Sequence, residues 1–148
     1  MCYPGAADAT SYECMTVYGP QGGQGQILDD TVIEERRKLD DKIEKGFALL
    51  AECEAKEDRG EVMRILLDAT EPARVRIKAA ELIAETGDTS AIDPLRNHRF
   101  GNRILVKKIE DAINAIHLRN FTRECPFCAE IIKKRANICK HCGKDLNN

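Results

Sequence analysis

The run Pro72-Ala-Arg-Val-Arg-Ile-Lys-Ala-Ala-Glu-Leu-Ile-Ala-Glu-Thr-Gly-Asp-Thr-Ser-Ala-Ile-Asp-Pro-Leu95 decides how the chain is read. Val75, Ala79, Leu82 and Ile83 recur at helical spacing and make one apolar stripe. Pro72 suits the first turn of that helix, where its missing N–H costs nothing. Gly87, after Thr86, predicts a C-terminal cap. Asp88 and Thr89 can then cap a second, shorter helix with Ala91, Ile92 and Leu95 facing inward. Each of these helices is apolar on one side only, so both need neighbours.

The neighbours carry the same kind of pattern. Upstream, Gly60 starts a segment with Val62, Ile65, Leu66 and Ala69 on one face. Downstream, a break at Gly101-Asn102 precedes a helix carrying Leu105, Ile109, Ala112, Ile113 and Ile116. The stretch Lys78-Ala-Ala-Glu-Leu-Ile83 aligns with Lys108-Ile-Glu-Asp-Ala-Ile113 at an offset of thirty. A helical period of that length implies a solenoid. On Val75-Arg76, Ala79-Ala80, Leu82, Gly87-Asp88, Ala91-Ile92 and Leu95, the run 72–95 resembles a short HEAT-like repeat. The resemblance implies a block of two or three antiparallel helical pairs over 60–118, with degenerate outer units acting as caps. An unrelated helical bundle would carry the same pattern. Because HEAT-like repeats also occur in bilin lyases, the resemblance leaves a lyase-like enzyme as a remote alternative.

Before this block, 30–58 reads as a long helix. Asp29 or Asp30 can cap it, and Glu34 and Glu35 suit the positive end of its dipole. Val32, Leu39, Ile43, Phe47 and Leu50 form its apolar stripe. At ~1.5 Å per residue it runs about 40 Å. The stripe is expected to pack within the chain or to pair with a second subunit, giving a homodimer through 30–58. Residues 1–28 read as an irregular arm, with Pro4, Gly5, Gly19, Pro20, Gly22, Gly23 and Gly25. All three tyrosines, Tyr3, Tyr12 and Tyr18, lie there. The arm is either a disordered end or a partner-binding segment with these tyrosines as anchors.

After the block, a linker over 119–123 is expected to lead into a separate module over 124–148. It carries Cys125-Pro-Phe-Cys128, ten residues, then Cys139-Lys-His-Cys142-Gly143. Two Cys-x-x-Cys knuckles can aim four thiolates at one tetrahedral zinc ion. Pro126 stiffens the first turn, and Gly143 can supply a positive φ after the second. Two redox pairs or two disulfides are the alternatives, but a redox motif should follow a strand in a βαβ unit, and none is visible. A module this short needs a staple, because it cannot bury a sufficient core. With Cys125, Cys128, Cys139 and Cys142 all engaged, no ligand position is open for water, so the expected Zn²⁺ is a single structural ion. His141 is read as a surface residue. The run 125–146 resembles a small zinc ribbon found at the C-terminus of many bacterial and archaeal proteins. Both knuckles, Ala129-Glu130, Ile132, Ala136 and Gly143 match. The resemblance implies an accessory metal-binding module and fixes no activity.

The expected fold class is therefore mainly α: a helical domain over 29–118, made of a long N-terminal helix over 30–58 and a HEAT-like block over 60–118, followed by a small zinc ribbon over 124–148. Aromatic residues make up only 5% of the chain and charged residues 32%, a balance that suits charged helices. No window is long and apolar enough for a transmembrane helix, so no membrane partner is expected. With no signal peptide visible, clustered cysteines predict a reducing, cytoplasmic compartment. Cys2, Cys14 and Cys53 fall outside the cluster and read as free thiols.

Charge is uneven. Residues 1–87 carry 11 Lys and Arg against 18 Asp and Glu, and residues 88–148 carry 12 against 7. Lys133, Lys134, Arg135, Lys140 and Lys144 decorate the ribbon, and Arg119 and Arg123 precede it. These seven are candidate contacts for nucleic acid or an acidic protein surface. His98 sits in a basic corner with Arg96, Arg99 and Arg103, and His117 stands alone. Phe127 is the one aromatic read as able to stack on a base. No phosphate loop or catalytic constellation is found: Gly19-Pro-Gln-Gly-Gly-Gln-Gly25 lacks the Lys-Ser/Thr it would need. The functional expectation is a non-enzymatic adaptor for protein partners in a larger assembly, with nucleic-acid binding through the basic ribbon as the alternative.

Overall fold

The computed structural model describes residues 29–147. The arm with Tyr3, Tyr12 and Tyr18, and the thiols Cys2 and Cys14, lie outside the described residues. The order is α1 (Asp30–Lys56), α2 (Arg59–Leu67), α3 (Ala73–Thr86), a 3₁₀ turn (Thr89–Ala91), α4 (Ile92–Asn97), α5 (Arg103–Asn120), β1 (Thr122–Glu124) and β2 (Ile131–Lys133). The described chain is thus mainly helical, with a small antiparallel hairpin after α5.

Local chemistry sets the helix starts. Asp29 accepts from the Thr31 N–H, Asp58 from Glu61, Asp88 from Ser90, and Asn102 from both Ile104 and Leu105. Each satisfies backbone donors that the first turn leaves unpaired. Pro72 stands at the cap position, and α3 begins one residue later. Gly87 ends α3 with φ −63°, so no left-handed cap is formed. Its missing side chain matters instead for packing. A Cβ there would lie 2.5 Å from the Ile83 carbonyl oxygen and 3.2 Å from Ile116 Cδ1.

Contacts fix the helix directions. Gly46 of α1 meets Val75 near the start of α3, while Cys53 shares a small cavity with Leu82 and Thr86 near its end. Lys108 reaches Glu81 at 2.8 Å, and Arg119 reaches the carbonyls that close α3. So α1, α3 and α5 run side by side in one direction. The returning α2 places Val62 beside Cys53 and Leu82, and Ile65 beside Gly46. The element bounds repeat at thirty residues. α1 and α3 end at Lys56 and Thr86, α3 and α5 start at Ala73 and Arg103, and α2 and the 3₁₀ turn start at Arg59 and Thr89. The core repeats in step, with Val62 and Ile92, Ile65 and Leu95, and Val75 and Leu105 all buried.

One core forms between these helices, from Leu50 of α1 to Ile116 of α5. Full burial of each large aliphatic side chain contributes about 1.5–3 kcal/mol. Arg76 is the one buried charged residue among those described. Its Nε donates to the Leu66 carbonyl at 2.8 Å, and its guanidinium lies 5.5 Å from the centroid of the Phe100 ring. It therefore ties the last turn of α2 to the loop before α5.

One expectation is met in part and one is corrected. The α1 stripe does not pack within the described chain along its whole length: Val32, Leu39 and Phe47 are exposed, and the buried α1 residues are Gly46, Leu50 and Cys53. The helix projects beyond α3, so among the described residues its first three turns meet nothing to bury against. Residues 119–123 are not a linker. α5 runs to Asn120, Phe121 turns the chain in a left-handed conformation (φ 51°), and β1 follows at once.

Candidate metal centre

The hairpin and two turns position the four cysteines. β1 pairs with β2 through Thr122–Lys133, Arg123–Ile132 and Glu124–Ile131. The first knuckle closes with the Ala129 N–H on the Cys125 carbonyl at 2.9 Å, and the Cys125 N–H donates to the Glu130 carbonyl. The second repeats this geometry, with the Gly143 N–H on the Cys139 carbonyl at 2.8 Å and the Cys139 N–H on the Lys144 carbonyl. The fourth residue after the leading cysteine is left-handed in both: Ala129 at φ 59° and Gly143 at φ 70°. Gly143 thus does what its place after the knuckle predicts. Ala129 adopts the same turn at a steric cost.

The four sulfurs lie within 4.8 Å of one another. Cys125 Sγ is 3.8 Å from Cys142 Sγ, and Cys128 Sγ is 3.7 Å from Cys139 Sγ. A tetrahedron of thiolates at ~2.3 Å from zinc has edges of about 3.8 Å. The donor set therefore fits one zinc ion. Disulfides do not fit, since a bonded pair needs ~2.05 Å. Backbone donors also favour thiolate. N–H groups of Cys142 and His141, together with the Cys125 and Cys142 thiols, bring Cys139 down to about 6. At Cys128 the Glu130 N–H pulls the same way, but burial and three neighbouring thiols outweigh it and push the group up to about 12. Four thiols in one small space cannot all ionise unless a cation joins them. His141 is exposed, and its backbone N–H points at Cys139 Sγ at 3.4 Å. Cys125, Ile132 and Cys139 are buried, with Ala136 and Leu146 packed on them.

The seven basic candidates separate. Lys133, Lys134, Arg135, Lys140 and Lys144 are exposed and make no ion pair among the described residues. Lys144 Nζ lies 5.6 Å from the Phe127 ring centroid. Arg119 and Arg123 have internal acceptors. Arg119 donates to the Ala84 and Glu85 carbonyls at 2.8 Å and also to the Gly87 carbonyl. Arg123 donates to the Ala136 carbonyl at 3.1 Å. In the basic corner, His98 packs on Phe100 with ring centroids 4.5 Å apart, while Arg99 and Arg103 stay exposed. His117 does not stand alone, because its Nδ1 lies 2.9 Å from Thr122 Oγ1.

Sequence reasoning missed the contact between ribbon and helices. Arg96 donates to Glu124 at 2.8 Å and to the Ala129 carbonyl at 3.0 Å, and Ile131 packs against the helical core. One signal was present. Thirty residues before Arg96 stands the fully buried Leu66, so an apolar position of one unit is cationic in the next. Phe121, 74% exposed at the end of α5, was also overlooked as a second outward aromatic.

Residues 121–146 match the zinc-ribbon domain family. No curated protein and no solved structure matches the chain. The C-terminal 121–146 is a zinc-ribbon domain whose four cysteines are positioned to bind one zinc ion.

Proposed function

We propose that the chain is a non-enzymatic adaptor: a short HEAT-like helical block and a zinc-stapled ribbon that together hold protein partners in a larger assembly. The observation that carries this reading is the apolar stripe of α1, whose Val32 and Leu39 are about half exposed and whose Phe47 is more than a third exposed. Apolar side chains left exposed along one stripe of a helix point to an interaction site. The thirty-residue recurrence of bounds, caps and core residues supports the HEAT-like reading of the block. The lyase-like alternative draws no such support. The two cavities described, about 80 Å³ beside Cys53 and about 240 Å³ beside Gly46, bring together no histidine or serine with a partner base. A reducing, cytoplasmic setting belongs to the proposal, since it keeps the four thiols available for zinc.

The test uses Leu39→Glu and Phe47→Glu in the full chain. Proteins that co-purify specifically with the wild type should be lost from both variants, with helicity unchanged. Sedimentation reads whether the occupant is a second copy of the chain, as the homodimer expectation has it. Partners retained by both variants would remove α1 from the account.

Nucleic-acid binding is the second reading, favoured by the five ribbon cations that make no ion pair among the described residues, together with exposed Phe121 and Phe127. Binding to generic single-stranded RNA or DNA should then fall steeply with salt, and neutralising Lys133 and Lys134 should flatten the slope. No binding at low salt would end this reading.

A further inference from the structure

We propose that Arg96 couples zinc occupancy of the ribbon to the helical block, so that the metal orders α4 as well as its own knuckles. The guanidinium brackets the first knuckle. Nη2 donates at 2.8 Å to Glu124 Oε1, the residue before Cys125, and Nη1 donates at 3.0 Å to the carbonyl of Ala129, the residue after Cys128. These two acceptors belong to opposite ends of one turn. Their spacing follows from the knuckle turn, which holds Ala129 at φ 59° and which an ion shared by Cys125 and Cys128 would fix further.

Loss of the ion removes the constraint that keeps Ala129 in a conformation its side chain resists. The turn relaxes, and Arg96 loses one or both acceptors. The cost is felt on the helical side. Arg96 Nε is buried without a partner and the side chain is 30% exposed, so water replaces the lost bonds only in part. Asp93, 3.8 Å away, offers only one weaker contact. The neighbouring joints follow the same path. Ile131, three residues after Cys128, packs on the helical core, and His117 Nδ1 meets Thr122 Oγ1 at the base of β1. With no linker between α5 and β1, undocking cannot be absorbed by slack chain. Arg96 is a positioning residue here, since it touches the knuckle backbone and not the metal.

Coupling of this kind is reciprocal: what zinc does for α4, the Arg96 contacts do for zinc. The test is amide hydrogen exchange on the full chain, zinc-loaded and after chelation. Chelation should speed exchange in α4 and the last turn of α5 about tenfold, while α2 stays unchanged. Arg96→Met, zinc-loaded, should show the same acceleration in α4, and chelation should then add little. It should also hasten zinc release to a competing chelator by a matching factor. Arg96→Lys, which keeps the charge but not the two-pronged fork, should fall between. It carries the same comparison should Arg96→Met not fold. Exchange in α4 unmoved by chelation, or effects of variant and chelation that simply multiply, would overturn the proposal.

Discussion

Gly46 and Gly143 lack a side chain for different physical reasons. A Cβ at Gly46 would lie 2.7 and 2.8 Å from the two Val75 methyls, so the glycine lets α1 and α3 approach. Gly46→Val should overpack this contact and lower stability by about 1–3 kcal/mol, read as a shifted urea midpoint. Gly143 has open space around it but a φ of +70°. Gly143→Ala should cost only about 1 kcal/mol, all of it conformational, measured as the stability of the zinc-loaded ribbon. The second glycine was legible from its place after a knuckle. The first was not, because its reason is a valine 29 residues away. Cys53 makes the same point about environment. It is buried in the core, and burial, then Asp58 and Glu61, push its thiol up. In the native protein it should resist alkylation at neutral pH and react once urea unfolds the block, with labelling mapped by mass spectrometry.

At the scale of elements, periodicity located α2 to α5 because their apolar residues answer to one core. In α1 only Ile43 and Leu50 of the stripe reach that core, because a stripe records what can be buried, not what is. Val32 and Leu39 keep helical spacing although no described residue covers them. Charge at the other end shows a related point: a cation's sequence neighbours do not reveal its acceptors. Arg119 closes α3, satisfying carbonyls that the last turn leaves open, and it also locks α3 to α5. Arg119→Met should therefore lower thermal stability, by about 1.5–3 kcal/mol for the charged hydrogen bonds lost, and leave any salt dependence of nucleic-acid binding unchanged. Lys133→Ala should do the reverse, since that side chain is exposed and makes no ion pair among the described residues. A thermal melt and a salt titration on both variants separate the two roles.

Across the whole molecule, the helical block and the ribbon have distinct apolar cores, yet Ile131 and Arg96 join them. Cysteine spacing made the metal site legible, because four soft ligands at those intervals have few other uses. The docking was not legible, because it rests on one arginine reaching residues 28 and 33 positions away. The ribbon's fold depends on the metal. Purified full-length protein should carry one zinc per chain, and cobalt substitution should give the intense visible bands of a tetrahedral all-thiolate site, lost on Cys128→Ser. Protein that folds its ribbon with no bound metal, or with the four cysteines paired as disulfides, would contradict it.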